Sequence, residues 1–381
     1  RPGEFSPREL ATLTWALVAV QWCDPELFNT IRRVAIESLA SYSPDDLCMM
    51  LWAFSRLGAD SVASIYECAR GLASEEMPAS AGSMGKAAGV TGLSPCLPQR
   101  GAQQGAQGQP VVVLDLPDRM VIHKPIGWEV DHNDGLLPAP DRFAQLSRHL
   151  QALLPARRCP LVRDVERQCG LLHRLDVPCS GIVLAAKSLA AWRDLKLQLD
   201  AGRLARDYAV LFHGWLPPRR RTVNARIFWT KEEWLPSRVR VPGGRPSTTH
   251  WKALAHALLG AGAFSLAAVR IATGRRHQIR AHGAHAGHAV AADGVYSSCA
   301  ATLSDRCWCQ QTFLHRYHLA FEDGLRIRRD ASDTLPRGLI DALGLLRPRV
   351  PGPSRETLKR WMGARRPPAW DGCEALRAAG D

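Results

Sequence analysis

The sequence has no uninterrupted run of about 18 apolar residues, the length that a membrane-spanning helix needs. Its longest apolar segments, such as Val111–Leu114, have the length of a core strand. No glycine-rich loop follows a strand in the manner of a dinucleotide or P-loop site. We therefore expect a soluble protein without a membrane partner, and the missing loop argues against a nucleotide cofactor.

The eleven cysteines are not arranged as a disulfide framework, because their number is odd and their spacing is irregular. Cys307 and Cys309 form the only close pair, and no second pair completes a zinc knuckle. A metal site built from this pair, Cys299 and the nearby histidines is the less favoured alternative. We expect reduced intracellular thiols, most of them buried as small apolar side chains.

Positive charge is in excess, with a formal net charge of +13. Such an excess favours polyanionic partners, above all nucleic acid, because each neutralised phosphate releases counterions. A basic protein without such a partner is the alternative. The excess is clustered at Arg219–Arg221, at Arg326–Arg329 and in the segment 347–381, and clustering favours a binding face or a basic arm over general solubility.

The N-terminal part contains a repeat with an offset of 37 residues. Ser6–Leu10 recurs as Ser43–Leu47, and Thr14–Leu17 recurs as Leu51–Phe54. In each unit a serine caps a helix that has proline at its first position. A second helix, roughly Glu26–Leu39, closes the first unit. Such periods are typical of helical solenoids, which normally need more than two units, so we expect a truncated chain.

This repeat defines a segment, residues 1–73, that resembles the octotricopeptide and FASTK-like helical repeats of organellar RNA-binding proteins. The resemblance rests on the pattern Leu-x-x-x-x-Trp-Ala-Leu/Phe. The alternative is a protein-docking scaffold, and the small number of basic residues in the segment favours a protein partner slightly. The chain begins with Arg1 rather than Met, which again suggests a fragment or a processed chain.

Beyond the repeat, composition divides the chain into three further parts. Residues 74–110 are rich in Gly, Ala, Ser and Gln, which predicts a flexible linker. Residues 111–346 alternate strand-like and helical stretches irregularly, which predicts an α+β domain. The predicted elements are strands at 111–114, 120–122, 181–185, 208–211 and 264–269, and a helix at 188–201. Residues 347–381 form a basic tail rich in Pro and Arg, expected to hold one short helix followed by disorder.

The most informative segment is Leu171–Lys187, in which a polar loop from His173 to Gly181 leads into an apolar strand. A carboxylate at the mouth of a buried strand has a rigid support and limited water, which is how a site makes one carboxylate reactive. Asp176 occupies that position. A salt-bridged turn without catalytic function is the alternative on this segment alone.

Five motifs in a fixed order resemble the RluA type of RNA pseudouridine synthase. The pattern His-Arg-Leu-Asp…Ser-Gly…Lys is matched at 173–187, and Thr-Gly-Arg-x-His-Gln-Ile-Arg-x-His is matched at 273–282. Weaker matches lie at 121–127, at 206–214 and at 313–321. The resemblance covers roughly residues 111–346, and it implies a catalytic domain with a mixed, mostly antiparallel sheet.

The resemblance is incomplete at several positions. Cys179 replaces a Thr, His123 replaces an Asn, and Ala289 and Ala292 stand where Pro and Gly are usual. None of these changes removes a proton-transfer group, its arginine partner or the aromatic platform. The small N-terminal RNA-binding domain that is common in the family is not visible in this sequence.

The resemblance implies three catalytic residues. Asp176 would act as nucleophile or general base in breaking the glycosidic bond of uridine, through attack on the base or on the sugar. Tyr208 would stack on the target base, with a core strand aromatic as the alternative. Arg280 would pair with Asp176 and keep it ionised.

The resemblance also implies substrate-binding residues. Arg174 would fill the space that the flipped uridine leaves. Arg275 and Arg276 would meet phosphates, and His277 of the same motif would contact the substrate. Lys124 would touch RNA, although a solvated lysine at the end of a strand is an equal alternative.

The implied function is isomerisation of uridine to pseudouridine in structured rRNA or tRNA, a reaction that needs no metal, redox cofactor or nucleotide. A non-catalytic RNA-binding or ribosome-assembly protein with the same fold is the alternative. The protein is expected to be intracellular, and the organellar repeat resemblance favours the mitochondrion or plastid over the cytosol.

Overall fold

The computed structural model describes residues 5–19, 24–42, 46, 50, 53–54, 108–131, 143–218, 222–230, 236–240, 242–363 and 367–376. These residues form two compact units. One consists of N-terminal helices together with residues 299–303, and the other contains a large sheet.

The N-terminal unit contains helices α1 (Pro7–Ala19) and α2 (Pro25–Glu37). At the start of α1, the Ser6 backbone N–H donates to the Glu9 carboxylate over 2.9 Å, and the Glu9 N–H donates back to the Ser6 hydroxyl over 3.4 Å. This reciprocal cap fixes the helix start that the Ser-Pro pair predicts, so that prediction is confirmed. At the start of α2, the Asp24 side chain accepts from the backbone N–H groups of Glu26 and Leu27.

The two helices bury one shared apolar face, which includes Leu10, Phe28 and Ile31. Most of the second repeat unit, Ser43–Phe54, lies outside the described residues, so the helical repeat stays a prediction. The predicted linker at 74–110 also lies almost entirely outside them.

The described residues of the second unit contain twelve strands in chain order. They are β1 (Val111–Asp115), β2 (Arg119–Lys124), β3 (Ser180–Ala186), β4 (Ala205–His213), β5 (Thr222–Asn224), β6 (Ile227–Phe228), β7 (Arg238–Val239), β8 (Thr248–Leu259), β9 (Gly262–Ile271), β10 (Leu314–Glu322), β11 (Arg328–Ser332) and β12 (Arg347–Pro348). Ten of them form one sheet in the order β1-β2-β3-β10-β4-β9-β8-β12, with β11 on β10 and β5 on β8. Among its described pairs only β3 and β10 run parallel. Strands β6 and β7 form a separate two-stranded ribbon.

Six helices accompany these strands in the described residues. They are α3 (Leu146–Leu153), α4 (Leu189–Asp200), α5 (Gln278–His285), α6 (Cys299–Arg306), α7 (Arg337–Gly344) and α8 (Pro353–Gly363). None of the helices in the described part of the chain is long and apolar enough to cross a membrane.

The central strands are apolar on both faces because both faces of the sheet are covered. In β3 all seven residues are buried. Val183 and Ala185 pack into one cluster while Ile182 and Leu184 pack into another, as the alternation of side chains along a strand requires. Apolar runs in the sequence identified these strands correctly, and the five predicted strands are confirmed. The predicted helix and the α+β fold with a mostly antiparallel sheet are also confirmed.

The short helix predicted in the segment 347–381 is confirmed by α8, and the disorder predicted after it is wrong for residues 367–376. Arg347 and Pro348 form β12 on the edge of the sheet, and Trp361 of α8 is buried against Tyr317 with ring centroids 4.9 Å apart. Lys252 of β8 donates to the carbonyl oxygens of Trp370 and Cys373 over 2.8 and 3.1 Å. A few large apolar side chains among the many charges are therefore enough to anchor this segment.

We expect Trp361→Ala to lower the free energy of unfolding by about 3–5 kcal/mol, because it empties a large buried site in the core. Thermal and denaturant unfolding followed by circular dichroism would measure the change. Lys359→Ala, on the exposed side of the same helix, is the matched control and should shift stability by less than about 0.5 kcal/mol. Equal stability of the two variants would contradict the packing of the tail.

Candidate active site

A cleft of about 720 Å³ opens on the sheet-containing unit. Its walls come from the loop before β3, from β4, from the residues that lead into α5 and from β10. Seven of the eight predicted site residues line it, and they are Arg174, Asp176, Tyr208, Arg275, Arg276, His277 and Arg280. The walls of the cleft thus come from four separate parts of the sequence, and the seven predicted residues come from three of them.

Asp176 is held by a turn at the mouth of β3. The backbone N–H of Cys179 donates to the Asp176 carbonyl over 3.0 Å, and the strand begins one residue later. Gly181 lets β3 approach β10 closely, since a Cβ at this position would lie 2.4 Å from the Arg316 carbonyl oxygen. The carboxylate is 19% exposed, so it faces the cleft from a rigid base.

Arg280 forms the ion pair with Asp176 that the resemblance implied, with 2.9 Å between Nη1 and Oδ2. The other edge of the same guanidinium donates from Nε and Nη2 to the two oxygens of Asp293, over 2.7 Å each. Asp293 is completely buried, and no role was predicted for it. A bidentate carboxylate on one edge fixes the plane of the guanidinium and therefore its reach to Asp176.

The charges around Asp176 keep it ionised. Burial raises the pKa of the Asp176 carboxyl, but Arg280 and, at acid pH, protonated His277 outweigh burial, and the pKa lies below its ordinary value. Burial also lowers the pKa of His277 to about 4, although Asp176, 3.8 Å from Nε2, opposes that shift. Near neutral pH the site therefore contains an ionised Asp176 and an uncharged His277.

Tyr208 is held in place by Arg316 of β10, a residue that the sequence did not single out. Arg316 donates from Nε and Nη2 to the Tyr208 hydroxyl oxygen over 2.9 and 2.6 Å, and from Nη1 to His173 Nδ1 over 2.6 Å. The pairing of β10 with both neighbours explains this arrangement, because Arg316 lies opposite Gly181 on one side and opposite Tyr208 on the other. Tyr208 is 3% exposed, yet it lines the cleft.

The turn that carries the predicted phosphate-binding residues is fixed by Gln278. Its side-chain oxygen accepts from the Arg275 backbone N–H over 3.0 Å and from the Thr273 hydroxyl over 2.8 Å. Its amide nitrogen donates to the Thr248 carbonyl over 2.9 Å. His277 takes the left-handed conformation, with φ 54°, just before α5 begins. The Thr-Gly-Arg-x-His-Gln motif thus encodes a turn that presents two arginines to the cleft.

Positive charge predominates in the lining of the cleft, where seven Lys and Arg side chains face three Asp and Glu side chains. Arg174 is exposed, and Arg275 and Arg276 are partly exposed. Such a surface favours an anionic ligand.

The structure does not support the predicted contact between Lys124 and RNA. The side chain is completely buried, and Nζ donates to the carbonyl oxygens of Pro125, Trp128 and Val177 over 3.0, 2.8 and 3.5 Å. Burial lowers the pKa of the ammonium group to about 7. All three donor positions are occupied, so Lys124 connects the loops behind Asp176 instead of facing the ligand.

Comparisons with known proteins identify what this chain is similar to. A family model described as RNA pseudouridylate synthase matches residues 118–285. The ribosomal large subunit pseudouridine synthase D of Neisseria meningitidis serogroup B is 30% identical over 247 residues, which cover 62% of this chain and 59% of that protein. An uncharacterized RNA pseudouridine synthase of Mycobacterium bovis is 31% identical over 242 residues, which cover 62% of this chain and 70% of that protein.

A solved structure of human RNA pseudouridylate synthase domain containing 1 aligns with a TM-score of 0.48 at 22% identity, covering 68% of this chain and 97% of that one. The chain spans less than two thirds of the length of the Neisseria relatives that it matches. The matched region includes the Asp176 loop, the Tyr208 strand and the Arg280 helix. By these matches and by its ordered motifs, the chain belongs to the RluA type of the RNA pseudouridine synthase family.

Proposed function

We propose that this protein isomerises uridine to pseudouridine in RNA, with Asp176 as the catalytic carboxylate. The observation that carries the proposal is the ion pair of Asp176 with Arg280 in a basic cleft beside Tyr208. This arrangement keeps a partly buried carboxylate ionised and leaves it accessible to a ligand. An ionised carboxylate in limited water is the form that can act as nucleophile or as base.

The reaction conserves all atoms of the nucleoside. The bond between N1 of the base and C1′ of the ribose breaks, the base rotates, and a bond between C5 and C1′ forms. The proton leaves C5, and N1 ends as an N–H group. Asp176 initiates the bond cleavage by attack on the base or on the sugar, and both routes fit its position.

The other cleft residues have separate tasks in this proposal. Tyr208, fixed through its hydroxyl by Arg316, provides a flat surface against which the base can rotate. Arg174 takes the place of the flipped uridine in the RNA stack, since a planar guanidinium restores part of the lost stacking. Arg275 and Arg276 contact backbone phosphates, and uncharged His277 contacts the nucleoside beside Asp176.

The substrate class follows from the size and charge of the cleft together with the relatives. We propose a structured RNA, and ribosomal RNA is the first choice because relatives of this chain are named ribosomal large subunit pseudouridine synthases. Transfer RNA is the second choice. A non-catalytic RNA-binding protein with the same fold is the competing function, and the experiments below distinguish it.

We expect new pseudouridines in total RNA from cells that express the wild-type chain, and none of these in cells that express Asp176→Asn. The amide keeps the size of the side chain but cannot act as an anionic nucleophile or base. Chemical labelling followed by sequencing would locate the sites and identify the RNA. Asp200→Asn is the matched control, because Asp200 lines the same cleft but pairs with Lys196 at the surface.

This control should retain the wild-type pattern of modified sites. Sites that persist in Asp176→Asn would refute the catalytic role of the carboxylate. RNA binding without any added site in the wild-type protein would favour the non-catalytic function.

We expect neither Asp176 nor His277 to contribute to the pH dependence of activity between about pH 6 and pH 8, because neither group titrates there, whereas Lys124 behind the Asp176 loop, with a pKa of about 7, does titrate in this range. Asp176 has a lowered pKa and stays ionised, so its contribution should be lost only as acidification protonates it. His277, with a pKa of about 4, is uncharged throughout this range. Single-turnover rates across the range would test this, and the rates of His277→Asn should follow the same pH profile as those of the wild type. An acidic limb near pH 6.5 that disappears in His277→Asn would contradict the assignment.

We expect Arg316→Lys to lower kcat by about 10- to 100-fold with little change in KM, since misplacement of a catalytic group by about 1 Å has effects of this size. Lysine lacks the planar fork that holds Tyr208 and His173 at once. Arg203→Lys, at an exposed pair with Glu322, is the control and should leave both parameters unchanged. A rise in KM at constant kcat would instead assign Arg316 to RNA binding.

A further inference from the structure

The ribbon stands apart from the main sheet. It is taken here as β6 and β7 with the adjoining residues Arg226, Trp229, Arg240 and Arg245. A hydrogen bond ties the residue before β7 to the active-site wall. The Tyr296 hydroxyl donates to the Ser237 carbonyl, next to β7, over 2.9 Å. The ring of Tyr296 lies against the guanidinium of Arg280, with 5.2 Å between the guanidinium carbon and the ring centroid. The position of the ribbon is therefore coupled to the residue that orients Asp176.

Trp229, directly after β6, lines the cleft together with Arg275 and Arg276. It is partly exposed, and it belongs to none of the apolar clusters of the described residues. Packing in the core therefore does not explain this tryptophan. The neighbouring Thr230 also lines the cleft, and its hydroxyl oxygen has no hydrogen-bond partner in the described part of the chain.

Arginines surround the aromatic side chains of the ribbon. The guanidinium carbon of Arg245 lies 4.9 Å from the Trp229 ring centroid, and that of Arg240 lies 5.0 Å from the Phe228 ring centroid. The exposed arginines of the ribbon, which form no ion pair within the described residues, are Arg226, Arg238, Arg240 and Arg245. Aromatic faces interleaved with free positive charge are the combination that binds single-stranded nucleic acid, through base stacking and phosphate contacts.

We propose that Trp229 is the stacking platform for an RNA base that neighbours the target uridine, and that the exposed arginines of the ribbon hold the phosphates of that strand. This subsite rests on the proposed function only in taking RNA as the ligand. The target uridine itself belongs with Asp176 and the buried Tyr208, while Trp229 stands on the partly exposed wall of the cleft. A base stacked on Trp229 would hold the strand as the adjacent nucleotide flips.

Fluorescence anisotropy with a labelled oligouridylate of about 15 nucleotides tests the subsite without requiring catalysis. Trp229→Ala should weaken binding about 5- to 100-fold, and it should leave the dependence of Kd on NaCl concentration unchanged because it removes no phosphate contact. Arg245→Ala should reduce that salt dependence. Trp229→Leu, which keeps an apolar side chain but no aromatic face, should bind as weakly as the alanine variant and covers the case in which Trp229→Ala fails to fold.

Trp215→Ala is the matched control, because Trp215 is 39% exposed and also carries a guanidinium, that of Arg349, 3.6 Å from its ring centroid. Trp215 does not line the cleft, so its loss should change Kd by less than about two-fold. A matching oligomer with abasic residues should bind wild type and Trp229→Ala equally.

Three results would overturn the subsite: no measurable binding of the oligomer by the wild type, wild-type affinity in Trp229→Leu, or an equal loss of affinity for the abasic oligomer. Binding that depends on Trp229 in a protein that adds no pseudouridine would support the subsite and refute the catalytic proposal. Pseudouridine formation by the wild type, together with RNA binding that does not depend on Trp229, would support the catalytic proposal and refute the subsite.

Discussion

The active site depends on one guanidinium shared by two carboxylates. Arg280 is 3% exposed, and such a charge is tolerated in the interior only when it is fully paired. Asp293 pairs with it completely inside the protein, while Asp176 pairs with it through one oxygen at the edge of the cleft. The two acids therefore differ in their access to a ligand while they share one counter-charge. Buried Asp293 orients the arginine, and partly exposed Asp176 is accessible to a ligand.

A second buried arginine, Arg316, connects the groups on the other side of the cleft. Arg316 is 2% exposed and has no described carboxylate partner, so its charge is compensated by the oxygens of Tyr208 and of backbone carbonyls, and by a ring nitrogen of His173. Burial and the neighbouring positive charge hold the pKa of His173 well below its usual value, so its ring can accept this hydrogen bond. The loop that carries Asp176 and the strand that carries Tyr208 are thus joined through one side chain. Replacing either arginine by lysine would remove the planar geometry that joins them.

Local signals in the sequence were sufficient for five of the twelve described strands, for helices α1, α2 and α4, and for the residues in continuous motifs. Runs such as 181–185 identify a strand buried on both faces, and the Thr-Gly-Arg-x-His-Gln pattern identifies a turn because its partners lie within five residues. Spacing along the chain carries no information about partners 13 or 108 residues away, and the resemblance implied no role for Asp293 or Arg316, so both were missed. The Asp176–Arg280 pair, 104 residues apart, was predicted only because the resemblance implied it. Lys124 was placed at the surface for a similar reason. A lysine at the end of a strand is normally solvated, and only the tertiary structure shows three carbonyl oxygens around it.

Burial also divides the many arginines of this chain into two groups with different roles. Buried Arg280 is committed to two carboxylates and buried Arg316 makes five hydrogen bonds, so both can position other groups but have little capacity left for a ligand. Exposed arginines on the ribbon keep their donors available to phosphate, since no described carboxylate pairs with them. Net charge cannot distinguish the two groups, because both contribute equally to it. RNA affinity and its dependence on ionic strength should therefore be determined by the exposed arginines. The rate of the chemical step should be determined by the geometry around the buried arginines.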